Sequence, residues 1–112
     1  MTFKVGSLNH AKGYVINKLF EQERYGAHHL AIIYLSQGYP SHLRHLIQQA
    51  IDELSKQGII LVVKKRTGQG YGDHAVLVHA NLGKARGLLN GFRAARKLPR
   101  LGKDLKTFLP VK

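Results

Sequence analysis

The sequence predicts a small α+β domain, in which a core of three helices precedes a two-stranded β-hairpin and a basic C-terminal tail that is helical or flexible. Three observations predict this class. Apolar residues recur at helical spacing up to residue 58, a β-branched run and a glycine-rich stretch follow, and the last quarter of the chain carries most of the net positive charge. We therefore expect one domain over residues 1–81 and a basic tail over residues 82–112.

The first helix is predicted over residues 7–24. Ser7 or Asn9 suits its N-cap, and Gly26 suits the position beyond its end because glycine tolerates the left-handed backbone found there. The apolar residues that recur every three or four positions, and so share one side of this helix, are Leu8, Ala11, Val15, Leu19 and Phe20.

The second segment, residues 27–37, is shorter and fits two structures. As a helix it would bury Leu30, Ile33, Tyr34 and Leu35 on one side. The run HLAIIYL also fits a β-strand, because it is short and apolar. We favour the helix and keep the strand as the alternative.

The third helix, residues 41–57, has the clearest pattern. Pro40 predicts a turn, Ser41 is a suitable N-cap, and Gly58 is predicted to end the helix. Because only residues 38–41 separate it from the second helix, we expect the two helices to meet at a steep angle. Its apolar side carries Leu43, Leu46, Ile47, Ala50, Ile51 and Leu54.

A β-hairpin is predicted after the third helix. Residues 59–63 are apolar and largely β-branched, which predicts the first strand. The glycine-rich residues 67–74 predict a loop, and residues 75–79 predict the second strand.

The tail has two interpretations. Residues 83–98 fit a helix that Pro99 would end, and its apolar side would join two copies of the chain as a homodimer. The tail also fits a flexible arm that adds contacts to phosphates. The apolar side of the predicted helix carries Leu88, Leu89, Phe92 and Ala95.

Positive charge is concentrated in this tail. The chain has a formal net charge of +12. Residues 1–81 hold nine basic and five acidic residues, a net of +4, and residues 82–112 hold nine basic residues and one acidic residue, a net of +8. So large an excess of one sign is expected where the partner is a polyanion, which means DNA, RNA or an acidic membrane surface.

Several classes of protein are excluded or disfavoured by what the sequence lacks. The chain has no cysteine, so disulfides and thiolate metal sites are excluded. No apolar run reaches the roughly 20 residues that span a bilayer, and the first residues lack the apolar segment of a signal peptide. We therefore expect a soluble, cytoplasmic protein that does not act at a membrane.

Catalysis, cofactors and metals find little support in the sequence. Asp52 and Glu53 are adjacent, so their carboxylates point about 100° apart on a helix and cannot face one another. His42 and His45 have the spacing of two metal ligands, but cysteine is absent and carboxylates are scarce. The run GQGYG lacks the lysine and the following helix of a phosphate-binding loop. We expect no enzyme activity, no cofactor and no metal.

The order of helix, short helix, tight turn, helix and basic hairpin resembles the winged helix-turn-helix DNA-binding superfamily, especially its small archaeal and viral members. The resemblance spans residues 12–79 and is carried by SHLRHLIQQAIDELSKQGIILVV and by KKRTGQGYGDHAVLV. It implies that residues 41–57 form a recognition helix for the DNA major groove. It also implies that the hairpin, which is the wing of that fold, contacts phosphates.

The candidate base-reading residues lie on the third helix. Glutamine can pair with adenine, and arginine with guanine, through two hydrogen bonds each, whereas Asp52 would repel phosphate. The same residues also fit the solvent-exposed side of an ordinary amphipathic helix. The candidates, opposite or beside the apolar side, are Ser41, Arg44, His45, Gln48 and Gln49.

The candidate phosphate contacts lie on the hairpin and the tail. Strand alternation directs Lys64 and Arg66 to one side of the hairpin and Lys65 to the other. Gln69 and Tyr71 complete the hairpin candidates. In the tail the candidates are Arg93, Arg96 and Lys97.

Three functions compete at this point. The leading one is double-stranded DNA binding by a small transcriptional regulator. The alternative is an RNA- or ribosome-binding winged-helix protein, which the runs GKARG and RAARK in the tail suit well. The third is a protein–protein adaptor, against which the positive charge argues unless the partner is acidic.

Overall fold

The structure is a computed structural model that describes residues 3–22, 30–67, 70–98, 100–101 and 108–109. Four helices and a three-stranded antiparallel sheet among these described residues make it an α+β protein, as predicted. In chain order the helices and strands are α1 (Leu8–Glu21), β1 (Leu30–Ala31), α2 (Ile32–Gln37), α3 (Arg44–Lys56), β2 (Ile60–Thr67), β3 (Gly70–Leu77), α4 (Arg86–Ala95), β4 (Arg100–Leu101) and β5 (Phe108–Leu109). Short 3₁₀ turns precede α3 and α4, at Ser41–Leu43 and His79–Ala85.

The hairpin of β2 and β3 is longer than the sequence predicts. Pairing runs without interruption from Ile60 opposite Leu77 to Thr67 opposite Gly70. Residues 70–74, predicted as loop, are therefore strand, because the antiparallel ladder uses backbone groups that glycine and charged residues supply as well as apolar ones do. β1 pairs with the other side of β3, which gives the strand order β1–β3–β2. β4 and β5 form a separate two-stranded pair.

Helix α1 lies at the centre of the helical layer. The Ser7 side chain caps it by accepting a hydrogen bond from the backbone N–H of His10 at 3.2 Å. Of the two predicted N-caps, Ser7 and Asn9, Ser7 is therefore the one that the structure shows. The helix ends at Glu21, and the predicted end near residue 26 lies outside the described residues. Because α1 contacts α3, α4 and β3, residues 10–17 are all buried, including the polar Lys12 and Asn17.

The segment before α3 is part strand and part helix. Leu30 pairs in β1, and Leu35 of α2 is buried, as predicted. Ile33 and Tyr34 are 62% and 58% exposed, so the prediction that they face the core is wrong. Helix α2 has only six residues and begins directly after the paired strand β1. Only Leu35 of this helix is buried.

Helix α3 buries the apolar side that its sequence predicts. Leu46, Ile47, Ala50, Ile51 and Leu54 are buried, and Leu43 is half-buried. Ser41 lies within the 3₁₀ turn and does not cap the helix. Gly58 ends the helix as predicted: its φ of +74° is left-handed, and Ile59 N–H donates to the Leu54 carbonyl at 3.0 Å.

Helix α4, which lies within the predicted basic tail, packs into the core. Leu82 and Ala85 of the preceding turn are buried in the same apolar cluster as α1 and α3. Leu89 and Phe92 are 0% and 1% exposed, so they are not available to the predicted homodimer. The apolar side of α4 covers α1 of its own chain instead.

The contact between α1 and α4 depends on Gly13. A Cβ atom built at Gly13 would lie 2.5 Å from the Phe92 Cβ, which is too close for two carbon atoms that are not bonded to each other. The two helices therefore approach this closely only because residue 13 has no side chain.

We predict opposite effects on stability for two glycine-to-alanine changes in these helices. Gly13→Ala forces α1 and α4 apart and is expected to lower the free energy of unfolding by about 1–3 kcal/mol. Gly87→Ala, where an added Cβ meets nothing within 4 Å, is expected to raise it by about 0.5–1 kcal/mol because alanine is the better helix former. Urea denaturation measures both. Equal effects of the two changes would contradict the packing of α4 on α1.

Candidate nucleic-acid interface

The side of α3 opposite the core is open to solvent. Arg44, His45, Gln48 and Gln49, all predicted site residues, are exposed there, and Ser41 is exposed in the turn just before the helix. The structure therefore brings the five helix candidates together on one surface. We call this surface the outward face of α3 and define it by Arg44, His45, Gln48, Gln49, Asp52 and Lys56.

Two hydrogen bonds position side chains on this face. The Gln48 amide nitrogen donates to the Asp52 carboxylate at 3.0 Å, which fixes the amide and leaves its oxygen as an acceptor. The Arg44 Nε donates to the Ser36 carbonyl at 3.0 Å, at the end of α2. Asp52 therefore orients a predicted base-reading residue, a role that the sequence did not indicate.

The hairpin places its basic run along a strand. Lys64 is exposed and lies opposite Asp73 in the β2–β3 register. Lys65 and Arg66 follow it in β2, opposite Gly72 and Tyr71, so they belong to the ladder and not to the loop entrance. Gln69 lies outside the described residues.

Arg93, predicted as a phosphate contact, is buried and bonded between α4 and α1. It is 6% exposed, and its Nη1 donates to the Asn17 side-chain oxygen at 2.7 Å and to the Glu21 carboxylate at 3.2 Å. This ion pair joins α4 to α1. Because Nη1 already donates to Asn17 and Glu21, it is not free to donate to a phosphate. Arg93 follows Leu89 by four residues, so the two lie on the same side of the helix, and this spacing could have indicated that Arg93 faces the core.

Arg96 and Lys97 are exposed at the end of α4. The guanidinium carbon of Arg96 lies 5.5 Å from the centre of the Phe92 ring. Arg96 also borders a cleft that Tyr39 and Pro40 line, and these two residues immediately precede the 3₁₀ turn before α3. Folding therefore brings a cation from near the end of the chain to the start of α3, which no local pattern in the sequence could indicate.

A cluster of four rings lies behind this cleft. The rings of His10, Tyr14, Tyr39 and Phe92 have centroids 4.9–6.3 Å apart in the pairs that contact. The His10 Nδ1 and the Tyr39 hydroxyl are 2.6 Å apart and share a hydrogen bond. Burial, and then the nearby Arg96 charge, lower the pKa of His10 below its ordinary value. Burial raises the pKa of Tyr39, and the neighbouring Tyr14 raises it further.

The Tyr14 hydroxyl is the exception in this cluster. Tyr14 is 9% exposed, and its hydroxyl has no hydrogen-bond partner among the described residues. Burial raises its pKa, against a smaller lowering by Arg96. A Cβ atom at Gly38 would overlap this hydroxyl, so the tyrosine fits only because residue 38 is glycine. Sequence analysis did not single out Tyr14.

Neither a metal-ligand cluster nor a membrane-spanning helix occurs among the described residues. No group of three or more histidine, cysteine, aspartate or glutamate residues in the described part of the chain is placed to hold a metal ion. His42 and His45 are exposed. Within the same residues, every helix is too short or too polar to cross a bilayer.

We predict that two tyrosine-to-phenylalanine changes differ in sign. Tyr39→Phe removes the hydrogen bond to His10 and is expected to lower the free energy of unfolding by about 1 kcal/mol. Tyr14→Phe removes a buried hydroxyl that has no partner, and is expected to leave the stability unchanged or raise it by up to about 1 kcal/mol. Urea denaturation of the two variants is the measurement, and a marked loss in Tyr14→Phe would show that this hydroxyl is bonded within the fold.

We also predict that His10 makes the stability depend on pH. Because its pKa is lowered in the folded state, the unfolded chain binds a proton first as the pH falls below about 6.5. The contribution of His10 is therefore complete above that pH and is lost as the pH falls through the folded-state pKa. Unfolding of the wild type and of His10→Gln across pH 5–8 should show a shallower slope for the variant, and identical slopes would contradict the assignment.

Comparison of the chain with protein-family models, with curated proteins and with solved structures found no match. The function of the outward face of α3 and of the hairpin is therefore inferred from their own charges, contacts and exposure.

Proposed function

We propose that this chain is a winged-helix protein that binds double-stranded DNA as a small transcriptional regulator, with α3 as the recognition helix and the β2–β3 hairpin as the wing. The observation that carries the proposal is the exposure of the outward face of α3 while the opposite side is buried in the core. A helix held in this way presents the same side chains to a groove in every molecule.

The arrangement of the elements supports the winged-helix assignment. A helix, a short strand, two helices joined by a tight turn and a hairpin follow one another, and the hairpin completes an antiparallel sheet with the short strand. This is the order of elements that the resemblance of residues 12–79 implies, with the short strand added. The basic part of the hairpin extends beyond the residues that pair with β1, as a wing requires.

The charge distribution supports a phosphate backbone as the partner. Arg44 and Lys56 are exposed on α3, Lys64 on the hairpin, and Arg96 and Lys97 at the end of α4. With a formal net charge of +12, the chain gains from neutralising phosphates and releasing their counterions. These contacts position the protein, whereas the two glutamines of α3 supply groups that can read bases.

The shape of the interface favours duplex DNA over duplex RNA. Helix α3 has 13 residues, which corresponds to a rod about 20 Å long at about 1.5 Å per residue. The major groove of B-DNA is about 12 Å wide and admits an α-helix, whereas the major groove of A-form RNA is too narrow for one. A helix whose long outward face is open therefore fits DNA better.

We predict that replacing Lys64, Lys65 and Arg66 together with glutamate abolishes duplex binding without unfolding the protein. The reversed charges repel phosphates, and the three residues lie in the part of the hairpin beyond the pairing with β1. Fluorescence anisotropy with a labelled duplex at several salt concentrations measures affinity, and urea denaturation checks the fold.

Single variants sharpen this test. Lys64→Glu should weaken binding on every sequence and lower the salt slope by about one. Lys84→Glu makes the same charge change at an exposed lysine beside a groove formed with α1, and should leave the affinity nearly unchanged. If the two variants bind equally, the hairpin is not the contact. If a structured RNA outcompetes the duplex at every salt concentration, the RNA-binding alternative replaces the DNA proposal.

A further inference from the structure

The cleft beside Tyr14 has the size and position of a ligand site. Two adjoining cavities, of about 270 Å³ and 450 Å³, share Tyr14, Gly38 and Arg96 in their linings. The larger cavity falls within the range of pockets that hold small molecules, which starts at about 300 Å³, and the smaller one lies just below it. We call the two cavities together the Tyr14 cleft. It lies between α1, the end of α4 and the turn that leads into α3.

The Tyr14 hydroxyl marks where a ligand would bind. It is more than nine-tenths buried, and it has no hydrogen-bond partner among the described residues. The hydroxyl of its neighbour Tyr39, by contrast, is hydrogen-bonded to His10. Leaving a buried hydroxyl unpaired lowers stability, and a polar atom of a ligand in the cleft would remove that cost.

The charges around the cleft specify an anion. Glu21 is the acidic residue of the larger cavity, and its carboxylate is already bound by Arg93 and Asn17. Arg96 and Lys18 line the same cavity, and neither forms an ion pair with a carboxylate among the described residues. A guanidinium at the edge of a partly apolar cleft is well suited to a carboxylate, which it can bind through two parallel hydrogen bonds.

The walls of the smaller cavity specify the rest of the molecule. Val5, Tyr39 and Pro40 line it together with Tyr14, and their apolar surface suits a flat or compact apolar group. Rings packed edge-on, as Tyr14 is on Phe92, accept a further aromatic ring at the same kind of angle.

We infer that the Tyr14 cleft binds a small aromatic carboxylate, whose carboxylate pairs with Arg96 and whose ring lies against Tyr14, Tyr39 and Pro40. A polar atom of the ligand bonds to the Tyr14 hydroxyl. The inference does not depend on nucleic-acid binding, so the test uses the protein alone, and a failure of one proposal leaves the other standing.

The test is a titration of the ¹⁵N-labelled full chain, followed through its backbone amide signals. The probes are benzoate, phenylacetate and indole-3-acetate, with benzyl alcohol as the neutral control. We expect at least one acid to give saturable shifts at the amides of Gly38 and Tyr39, and benzyl alcohol to bind at least about tenfold more weakly because it lacks the charge that Arg96 pairs.

Three variants separate this site from general charge attraction. Arg96→Gln removes the cation, and Tyr14→Phe removes the hydroxyl while keeping the ring, so each should weaken binding of the acid severalfold or more. Lys84→Gln removes a cation outside the cleft and should bind as the wild type does. Urea denaturation confirms that each variant is folded.

The inference is overturned if none of the three acids gives saturable shifts at these amides. It is also overturned if Arg96→Gln and Tyr14→Phe bind the acid as tightly as the wild type, or if benzyl alcohol binds equally well.

Discussion

The burial of one side of α3 in the core is the contact on which the other features of the proposed interface depend. Ile47, Ile51 and Leu54 are at most 2% exposed, and they fix the rotation of the helix about its axis. That rotation decides which residues face solvent, so it sets the outward face of α3. Since α3 passes directly through Gly58 into β2, the same packing also sets where the basic strand of the hairpin begins.

Charge in the sequence and charge at the surface differ in this protein. The last 31 residues carry most of the net positive charge, yet Arg93 among them serves the contact between α4 and α1 through Glu21 and Asn17. Arg96, three residues later, is exposed and borders the turn into α3. A cation in a basic segment therefore contributes to a binding surface only when its side of the helix faces solvent.

The sequence predicts which residues are buried where a helix is long and clearly amphipathic. It does not predict burial that depends on which other elements a helix packs against. The burial of Leu46, Ile47 and Leu54 follows from the strong period of α3, and the prediction is confirmed. The burial of Ile33 and Tyr34 was predicted wrongly. Helix α2 has only six residues, which is too few for the spacing of apolar residues to decide which side faces the core. Of the predicted apolar side of α4, Leu89 and Phe92 are buried and Ala95 is exposed, and the buried part covers α1 of the same chain, because a sequence does not show which surface an apolar side covers.

The most direct test of the central claim is a map of the contact surface by backbone amide shifts. Unlabelled duplex DNA is added to the ¹⁵N-labelled chain at moderate salt. We expect the largest shifts at His45, Gln48 and Lys64, on the outward face of α3 and the hairpin, and at Ser41 in the turn before α3. Largest shifts instead in the groove between α1 and the start of α4, or no saturable shifts at all, would contradict the claim that α3 and the hairpin meet DNA together.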